Sequence, residues 1–278
     1  MSKAISINTV QGIGDIFWCY QKLAPYFDTI NLRILCVDNG PIQQRAKEFC
    51  TMLPKVGTVE YACVPHQVYN KLAAGSYSLA HVLQANGTRV DYAVNAPLEK
   101  GVRLRDIDAG SNLEEFVDLG LPVHVPREDF LCLFVAGSKN SRVWKPEQWV
   151  SAAVKLSARI GNQAIALIGA NWDKNIQAHI SMALRRQGFT VANYVGQLGL
   201  ADSVDVIRRA RFFLGYQSGL NVIADNYDVP QLMVYFQHLE PMMYTWPKPA
   251  NVGTRFHAGT FAQPDGLVDS VPSAAWIN

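Results

Sequence analysis

An acidic residue at the start of a helix is the first candidate for chemistry in this sequence. An apolar run, Ala4-Ile5-Ser6-Ile7, leads to Gly12-Ile13-Gly14-Asp15, and a helical pattern follows. Glycine lets the backbone turn sharply and approach a ligand, and a helix start offers unpaired N–H groups with partial positive charge. The pattern places Asp15 at the edge of an α/β sheet, where it could take a proton from a hydroxyl group. The alternative is that Asp15 only caps the helix.

Two later segments carry residue types suited to a diphosphate. Serine and basic side chains follow an apolar strand in the loop Ser138-Lys139-Asn140-Ser141-Arg142, and Lys145 stands just before the next helix. Gln217-Ser218-Gly219 also follows a strand and opens a helix. Cations and helix N-termini stabilise the negative charge that grows on a departing diphosphate. These segments and Asp15 together suit a group transfer that releases a nucleoside diphosphate.

The elements that position these residues alternate between strands and helices. Apolar strands are predicted at 4–7, 32–37, 58–64, 131–135, 164–168, 191–194, 212–214 and 231–235. Helices are predicted from 41, at 146–158, 175–187, 203–210 and 219–227, with weaker elements at 92–94, 102–105 and 113–119. This alternation is typical of parallel sheets.

A segment rich in proline and glycine, 120–126, interrupts the alternation and predicts a linker. We therefore expect an acceptor-side domain at 1–122 and a nucleotide-binding domain at 130–245. The remaining residues, 246–278, form a tail that could pack back on the first domain. The predicted fold class is α/β, with two Rossmann-like doubly wound domains that face each other across a cleft.

Taken together and in this order, the three motifs resemble the heptosyltransferase-like glycosyltransferases, family 9, which have the two-domain GT-B architecture. The resemblance implies that Asp15, presented by the turn of Gly12 and Gly14, is the catalytic base. It implies that a basic residue before the helix at 146 holds the donor diphosphate. Arg142 and Lys145 compete for that role, and Ser138 and Lys139 lie in the same loop.

The resemblance also implies further donor contacts. Asp173 is the candidate for the donor ribose or base, with capping of the following helix as the alternative. Gln217, Ser218 and Gly219 stand where the family has Asp-Ser/Thr-Gly followed by His, and both the acid and the histidine are absent here. His238 follows a later strand and could face the nucleotide or sugar. Trp144 and Trp149 are expected to be packing residues.

Composition and spacing argue against several other classes. The chain of 278 residues is 49% hydrophobic and 17% charged, which predicts folded domains, and its net charge of +2 is too small to indicate nucleic-acid binding. Phe17 replaces the third glycine of a dinucleotide-binding motif. The five cysteines and six histidines lack metal-ligand spacing, so we expect buried, reduced thiols and no zinc. Asp106-Ile107-Asp108 is the one close acidic pair, and we expect a solvated turn there rather than a metal site.

The sequence therefore predicts an inverting, metal-independent glycosyltransferase without a cofactor. It would move a hexosyl, pentosyl or heptosyl group from a sugar nucleotide to a hydroxyl group of a glycan such as the lipopolysaccharide core. Two alternatives stay open: a phage-type transferase that modifies a hydroxylated base in DNA, and a non-catalytic module that binds nucleotide sugars. Because no leader and no apolar run of about 20 residues stands out, we expect a cytoplasmic protein (host cytoplasm if phage-encoded) without integral membrane contact.

Overall fold

The computed structural model describes residues 4–24, 27–37, 40–67, 129–135, 144–216, 218–227, 229–234, 255–258 and 268. The chain divides into two compact units, Met1–Gly120 and Leu121–Asn278. The weak elements predicted at 92–94, 102–105 and 113–119, and the linker predicted at 120–126, lie outside the described residues.

The first unit is built on a parallel sheet. Its described elements are β1 (Ala4–Val10), α1 (Ile13–Leu23), β2 (Thr29–Cys36), α2 (Pro41–Thr51) and β3 (Val56–Cys63). The strands lie in the order β1-β2-β3, and both neighbouring pairs run parallel. A parallel pair requires a crossover connection, which α1 and α2 provide.

Helix α2 begins at a proline and packs against α1. Pro41 occupies the first turn of α2, where its missing N–H costs no hydrogen bond. One face of α2 is buried, and Phe49 packs edge-on against Phe17 of α1 with ring centroids 5.7 Å apart. This contact packs the two helices of the first unit against each other.

The second unit continues the alternation. Its described elements are β4 (Phe130–Phe134), α3 (Pro146–Ile160), β5 (Ala164–Ile168), α4 (Lys174–Arg186), β6 (Thr190–Asn193), α5 (Leu200–Arg208), β7 (Phe212–Tyr216), α6 (Gly219–Asn226), β8 (Gln231–Val234) and β9 (Arg255–Ala258). All neighbouring strands run parallel, and the order across the sheet is β6-β5-β4-β7-β8-β9.

This strand order is that of a doubly wound nucleotide-binding sheet, 3-2-1-4-5-6. The chain moves outward in one direction from β4 to β6 and in the other from β7 to β9, so the order reverses between β4 and β7. Open α/β sheets bind ligands outside the carboxyl ends of the strands at this switch point. The α/β class with parallel sheets is thus confirmed.

Part of the predicted tail belongs to the second unit. The strand β9 pairs with β8, and Val268 is fully buried in the core of this unit. The sequence pattern gave no sign of β9, because Arg255-Phe256-His257-Ala258 interrupts its apolar residues with Arg and His, whereas the strand predicted at 231–235 is an apolar run after its first residue. The rest of 246–278 lies outside the described residues, and its packing on the first domain stays a prediction.

The described cysteines are free thiols, as expected. Cys36, Cys50 and Cys132 are buried, whereas Cys63 at the end of β3 is exposed, so the expected burial is wrong at that position. Burial raises the pKa of the Cys132 thiol, which keeps it protonated and unreactive.

Candidate functional site

In the first unit, the candidate site is the turn between β1 and α1. Gly12 is the N-cap residue of α1, with an extended backbone at φ −68° and ψ 126°. Its carbonyl accepts the N–H of Ile16 at 3.0 Å, which closes the first turn. Asp15 lies in that turn, third after the cap, and is partly exposed. Gly12 rather than Asp15 is thus the N-cap residue of α1, and the alternative that Asp15 serves only to cap the helix start stays open, because a third-residue side chain can reach back to the cap.

The Asp15 side chain folds back over Gly12. A Cβ atom built on Gly12 would lie 3.5 Å from the Asp15 Cγ and would collide with its Oδ2. Only glycine leaves room for this close approach, which gives a physical reason for the residue type at position 12. The carboxylate lies in the first turn of α1, at the positive end of the helix dipole.

The helix that carries Asp15 is firmly seated on its sheet. Ile16, Phe17, Tyr20 and Leu23 are all buried on one face of α1. The Tyr20 hydroxyl accepts the backbone N–H of Lys55 at 3.2 Å, which ties α1 to the loop before β3. Asp15 is therefore held by a fixed helix rather than by a loop, as a general base requires.

In the second unit, the candidate site lies at the switch point, where an aromatic cluster joins the residues that follow β4 and β7. Trp144 and Trp149 are buried, with ring centroids 4.9 Å apart, and Trp149 packs edge-on against Tyr216 at 4.7 Å. The Tyr216 hydroxyl accepts the backbone N–H of Trp144 at 2.9 Å. The prediction that both tryptophans are packing residues is confirmed. The cluster anchors the segment that leads into α3 to the end of β7.

A second anchor begins at Ser218, just before α6. The Gln231 Nε2 donates to the backbone carbonyl of Asn221 at 3.2 Å, so the Gln231 Oε1 faces the Asn221 side chain and accepts its Nδ2 at 3.1 Å. This turns the Asn221 Oδ1 toward Ser218, whose hydroxyl donates to it at 3.1 Å. Reversing either amide would set like groups against each other, so the direction of all three bonds is fixed.

The Ser218 hydroxyl therefore has no proton left to donate to a ligand. It donates to Asn221 and also accepts the N–H of Leu220 at 3.2 Å, which makes it the cap of α6. No described residue accepts the N–H of Gly219. Any anion at this helix start would be received by backbone N–H groups, with Ser218 holding the turn in place.

The turn after β5 contains Asp173, the predicted contact to the donor ribose or base. Its side chain is only 1% exposed, and its Oδ2 accepts the N–H of Ala170 at 2.9 Å. The N–H of Asp173 returns a bond to the carbonyl of Ala170, also at 2.9 Å. The side chain thus closes the turn that precedes α4 and makes no capping bond to α4 itself, so the capping alternative is not supported in the form predicted, and the ribose contact stays a prediction.

Gln177 of α4 braces the same edge of the sheet. It is fully buried, and its Nε2 donates to the carbonyls of Ile168 at 2.8 Å and Val135 at 3.3 Å. These carbonyls stand at the ends of β5 and β4, so one amide joins the two strand ends next to the switch point. Among the described residues, its Oε1 has no donor.

Of the diphosphate residues predicted in the loop before α3, Lys145 is the one whose position is described. It is exposed at the N-cap of α3, where its backbone N–H donates to the Gln148 Oε1 at 2.8 Å. Its side chain is thus on the surface at the segment that follows β4. The other predicted donor contacts lie outside the described residues: Ser138, Lys139, Arg142, Gln217 and His238.

Sequence reasoning missed two site residues, Asn221 and Gln231. Both are buried polar residues; Asn221 ends the segment Gln217-Ser218-Gly219-Leu220-Asn221 without a role assigned to it, and Gln231 begins a predicted strand. A buried-strand pattern that begins with Gln231 was the only available signal, because a polar residue there needs a partner. The partner, ten positions earlier, could not be identified without the fold.

The described residues contain no group of three or more His, Cys, Asp or Glu side chains placed to hold a metal ion. Asp106 and Asp108 are not among these residues. No helix in the described ranges has the length and apolar character needed to cross a membrane.

The structure of this chain is similar to several solved structures. A glycosyl transferase of family 9 from Veillonella parvula aligns with a TM-score of 0.60 and 12% identity, over 99% of this chain and 97% of that one. The E. coli ADP-heptose lipopolysaccharide heptosyltransferase II aligns with a TM-score of 0.57 and 15% identity, over 99% and 98%. A UDP-GlcNAc 2-epimerase from Methanocaldococcus jannaschii aligns at 0.51 and 13%, over 96% and 91%.

No protein-family model and no curated protein sequence matches the chain. At these identities the likeness is one of fold, and it extends over nearly the whole chain. The fold is that of the heptosyltransferases and family 9 glycosyltransferases, in agreement with the resemblance drawn from the motifs.

Proposed function

We propose that this protein is an inverting glycosyltransferase that moves a sugar from a nucleoside diphosphate donor to an acceptor hydroxyl. The observation that carries the proposal is the Asp15 carboxylate, folded over Gly12 on a rigid helix at the carboxyl end of β1. A module that only binds a nucleotide sugar has no need for a carboxylate positioned in this way.

The proposed reaction is a single displacement. The acceptor oxygen attacks the anomeric carbon from the face opposite the leaving group, and the bond from that carbon to the diphosphate oxygen breaks. Asp15 takes the proton of the attacking hydroxyl as the new bond forms, and the electron pair of the broken bond stays on the diphosphate. Because bond formation and cleavage occur on opposite faces, the anomeric configuration inverts.

The departing diphosphate gains negative charge, which the second unit is suited to stabilise. The start of α6 offers backbone N–H groups at the switch point, and Ser218 keeps that start in a fixed geometry. The exposed Lys145 supplies a cation at the segment after β4. Dipoles and cations fixed in advance stabilise developing charge without reorganisation. On this account no divalent ion and no cofactor is needed, and the sugar nucleotide is the substrate.

The structural neighbours support the proposal without deciding it. Two of those aligned here are glycosyltransferases, and the E. coli protein is named for ADP-heptose. The third is an epimerase of a nucleotide sugar, so the fold alone does not distinguish transfer from other reactions of such donors. The position of Asp15 favours transfer. We place the protein in the cytoplasm, with a glycan such as the lipopolysaccharide core as the first acceptor to test.

A ligand screen followed by product analysis tests the proposal. Sugar nucleotides that bind the folded protein should raise its melting temperature. A ligand at 100 times its Kd adds about 2.7 kcal/mol to the free energy of unfolding. The stabilising donor would then be incubated with the protein, with glycan acceptors and with DNA that carries hydroxylated bases. Release of nucleoside diphosphate with transfer of the sugar is the expected result. Binding without turnover would indicate a non-catalytic module, and a donor converted to its epimer would contradict transfer.

A further inference from the structure

The turn after β5 has a second feature besides the buried Asp173. It comprises residues 169–173 and lies at the carboxyl end of β5, next to β4 and therefore next to the switch point. In sheets of this order, the nucleoside part of a nucleotide extends from the first strand toward the end of the second. Here these strands are β4 and β5, so the 169–173 turn stands where a nucleoside would lie.

The 169–173 turn is rigid. Asp173 and Ala170 exchange two hydrogen bonds of 2.9 Å, and the carbonyl of Gly169 accepts the N–H of Gly196 from the loop after β6 at 2.9 Å. Gln177 holds the strand end just before the turn by its bond to Ile168. A side chain carried by this turn is therefore presented from a fixed backbone.

Trp172 is the large apolar side chain that this turn exposes. It is 48% exposed, whereas the neighbouring Asp173 is 1% exposed. The other large, exposed hydrophobic residues of the described chain, Ile42 and Met182, lie on the helices α2 and α4 rather than at a strand end of the second unit. An indole on a rigid turn offers an aromatic face at low entropic cost.

We propose that Trp172 is the nucleobase platform of the donor site and that the base of the nucleoside diphosphate stacks on its indole ring. This inference rests on the proposed function and names a contact within the same site. The distances agree with it. The turn follows β5 and α6 follows β7, and β4 lies between these two strands in the sheet. The turn and the start of α6 are therefore about two strand spacings apart, or about 10 Å. A nucleotide could thus place its base at Trp172 and its phosphates toward Gly219. Stacking tolerates every base, so Trp172 would set affinity for the nucleoside rather than choice of base.

Calorimetry on purified full-length protein tests this inference, with nucleoside diphosphates and inorganic pyrophosphate as probes. We expect Trp172→Ala to weaken binding of the nucleoside diphosphate about 5- to 140-fold, as for loss of one base stack. Trp172→Phe should retain part of the affinity, and binding of pyrophosphate should not change. Met182→Ala, which removes an exposed apolar side chain elsewhere on the same unit, should bind like the wild type.

The outcomes separate this inference from the proposed function. If the wild type binds a nucleoside diphosphate and Trp172→Ala binds it equally well, the platform is wrong and the proposed function stands. Equal losses for the nucleoside diphosphate and pyrophosphate would also overturn it, because the effect would then not come from the base. A wild type that binds none of the nucleoside diphosphates would overturn both.

Discussion

Replacing Gly12 by alanine should displace the carboxylate of the proposed base, Asp15, while leaving the residue itself unchanged. The added Cβ would collide with the Asp15 Oδ2 and lie 3.5 Å from its Cγ, so the carboxylate must move by about 1 Å to regain normal contact. A misplacement of about 1 Å from reacting geometry can cost about 100-fold in rate. The backbone at Gly12, with φ −68° and ψ 126°, is open to alanine, so the fold should persist. We expect kcat to fall about 100-fold, with the Kd of the donor unchanged.

The assay follows release of nucleoside diphosphate from the donor, beside a urea unfolding curve for each variant. Gly161→Ala is the matched control, because Gly161 ends α3 at φ +68° with open space around a new Cβ. It should lower stability by about 1 kcal/mol through backbone strain and leave kcat unchanged. A Gly12→Ala protein that is folded and as fast as the wild type would refute the idea that the position of the Asp15 carboxylate matters.

Three further predictions concern the diphosphate, metal ions and pH. Arg142→Ala should weaken binding of the nucleoside diphosphate, measured by calorimetry, because a guanidinium binds phosphate oxygens bidentately; loss for Lys145→Ala with none for Arg142→Ala would move the role to Lys145. Activity should survive EDTA in a transfer assay, and complete loss restored by Mg²⁺ or Mn²⁺ would contradict this and make Asp106-Ile107-Asp108 the first segment to mutate. Burial raises the pKa of the Cys50 thiol to about 12, so stability in urea should fall as pH rises above about 8.5, where only the unfolded thiol ionises. Equal unfolding free energies at pH 7.5 and pH 10 would contradict that sign.

The sequence pattern was informative where elements are long or fully buried. The helix beginning at Pro41 and the strand 164–168 were predicted at the positions where they form. Proline favours the first turn of a helix, and a five-residue apolar run that ends at a glycine favours a buried strand. The helix predicted at 203–210 instead begins at Leu200 after Gly199 as its cap. Leu200 is in helical register with Val204 and Ile207 on the buried face, so the apolar spacing supported the earlier start and the prediction began three residues too late.

At the candidate site, the sequence pointed to segments, but it could not show which of their polar side-chain atoms are already hydrogen-bonded within the protein. It selected Asp15, and the structure adds that Gly12 is needed for the position of its carboxylate. It also selected Asp173 and Ser218, yet the hydrogen bonds that occupy these side chains depend on backbone groups whose positions only the fold defines. Exposure of Trp172 beside a buried Asp173 is a consequence of the same turn.

The most direct test of the central claim compares the wild type with Asp15→Asn in the turnover of one sugar nucleotide. The amide has nearly the shape of the carboxylate but does not accept the proton, and loss of a general base costs about 10²–10⁴ in rate. Release of nucleoside diphosphate would be measured with the identified acceptor, or with water as the acceptor, and donor affinity by calorimetry. The account predicts that Asp15→Asn folds, binds the donor like the wild type and loses turnover by that factor. A folded Asp15→Asn protein with the turnover of the wild type would contradict it.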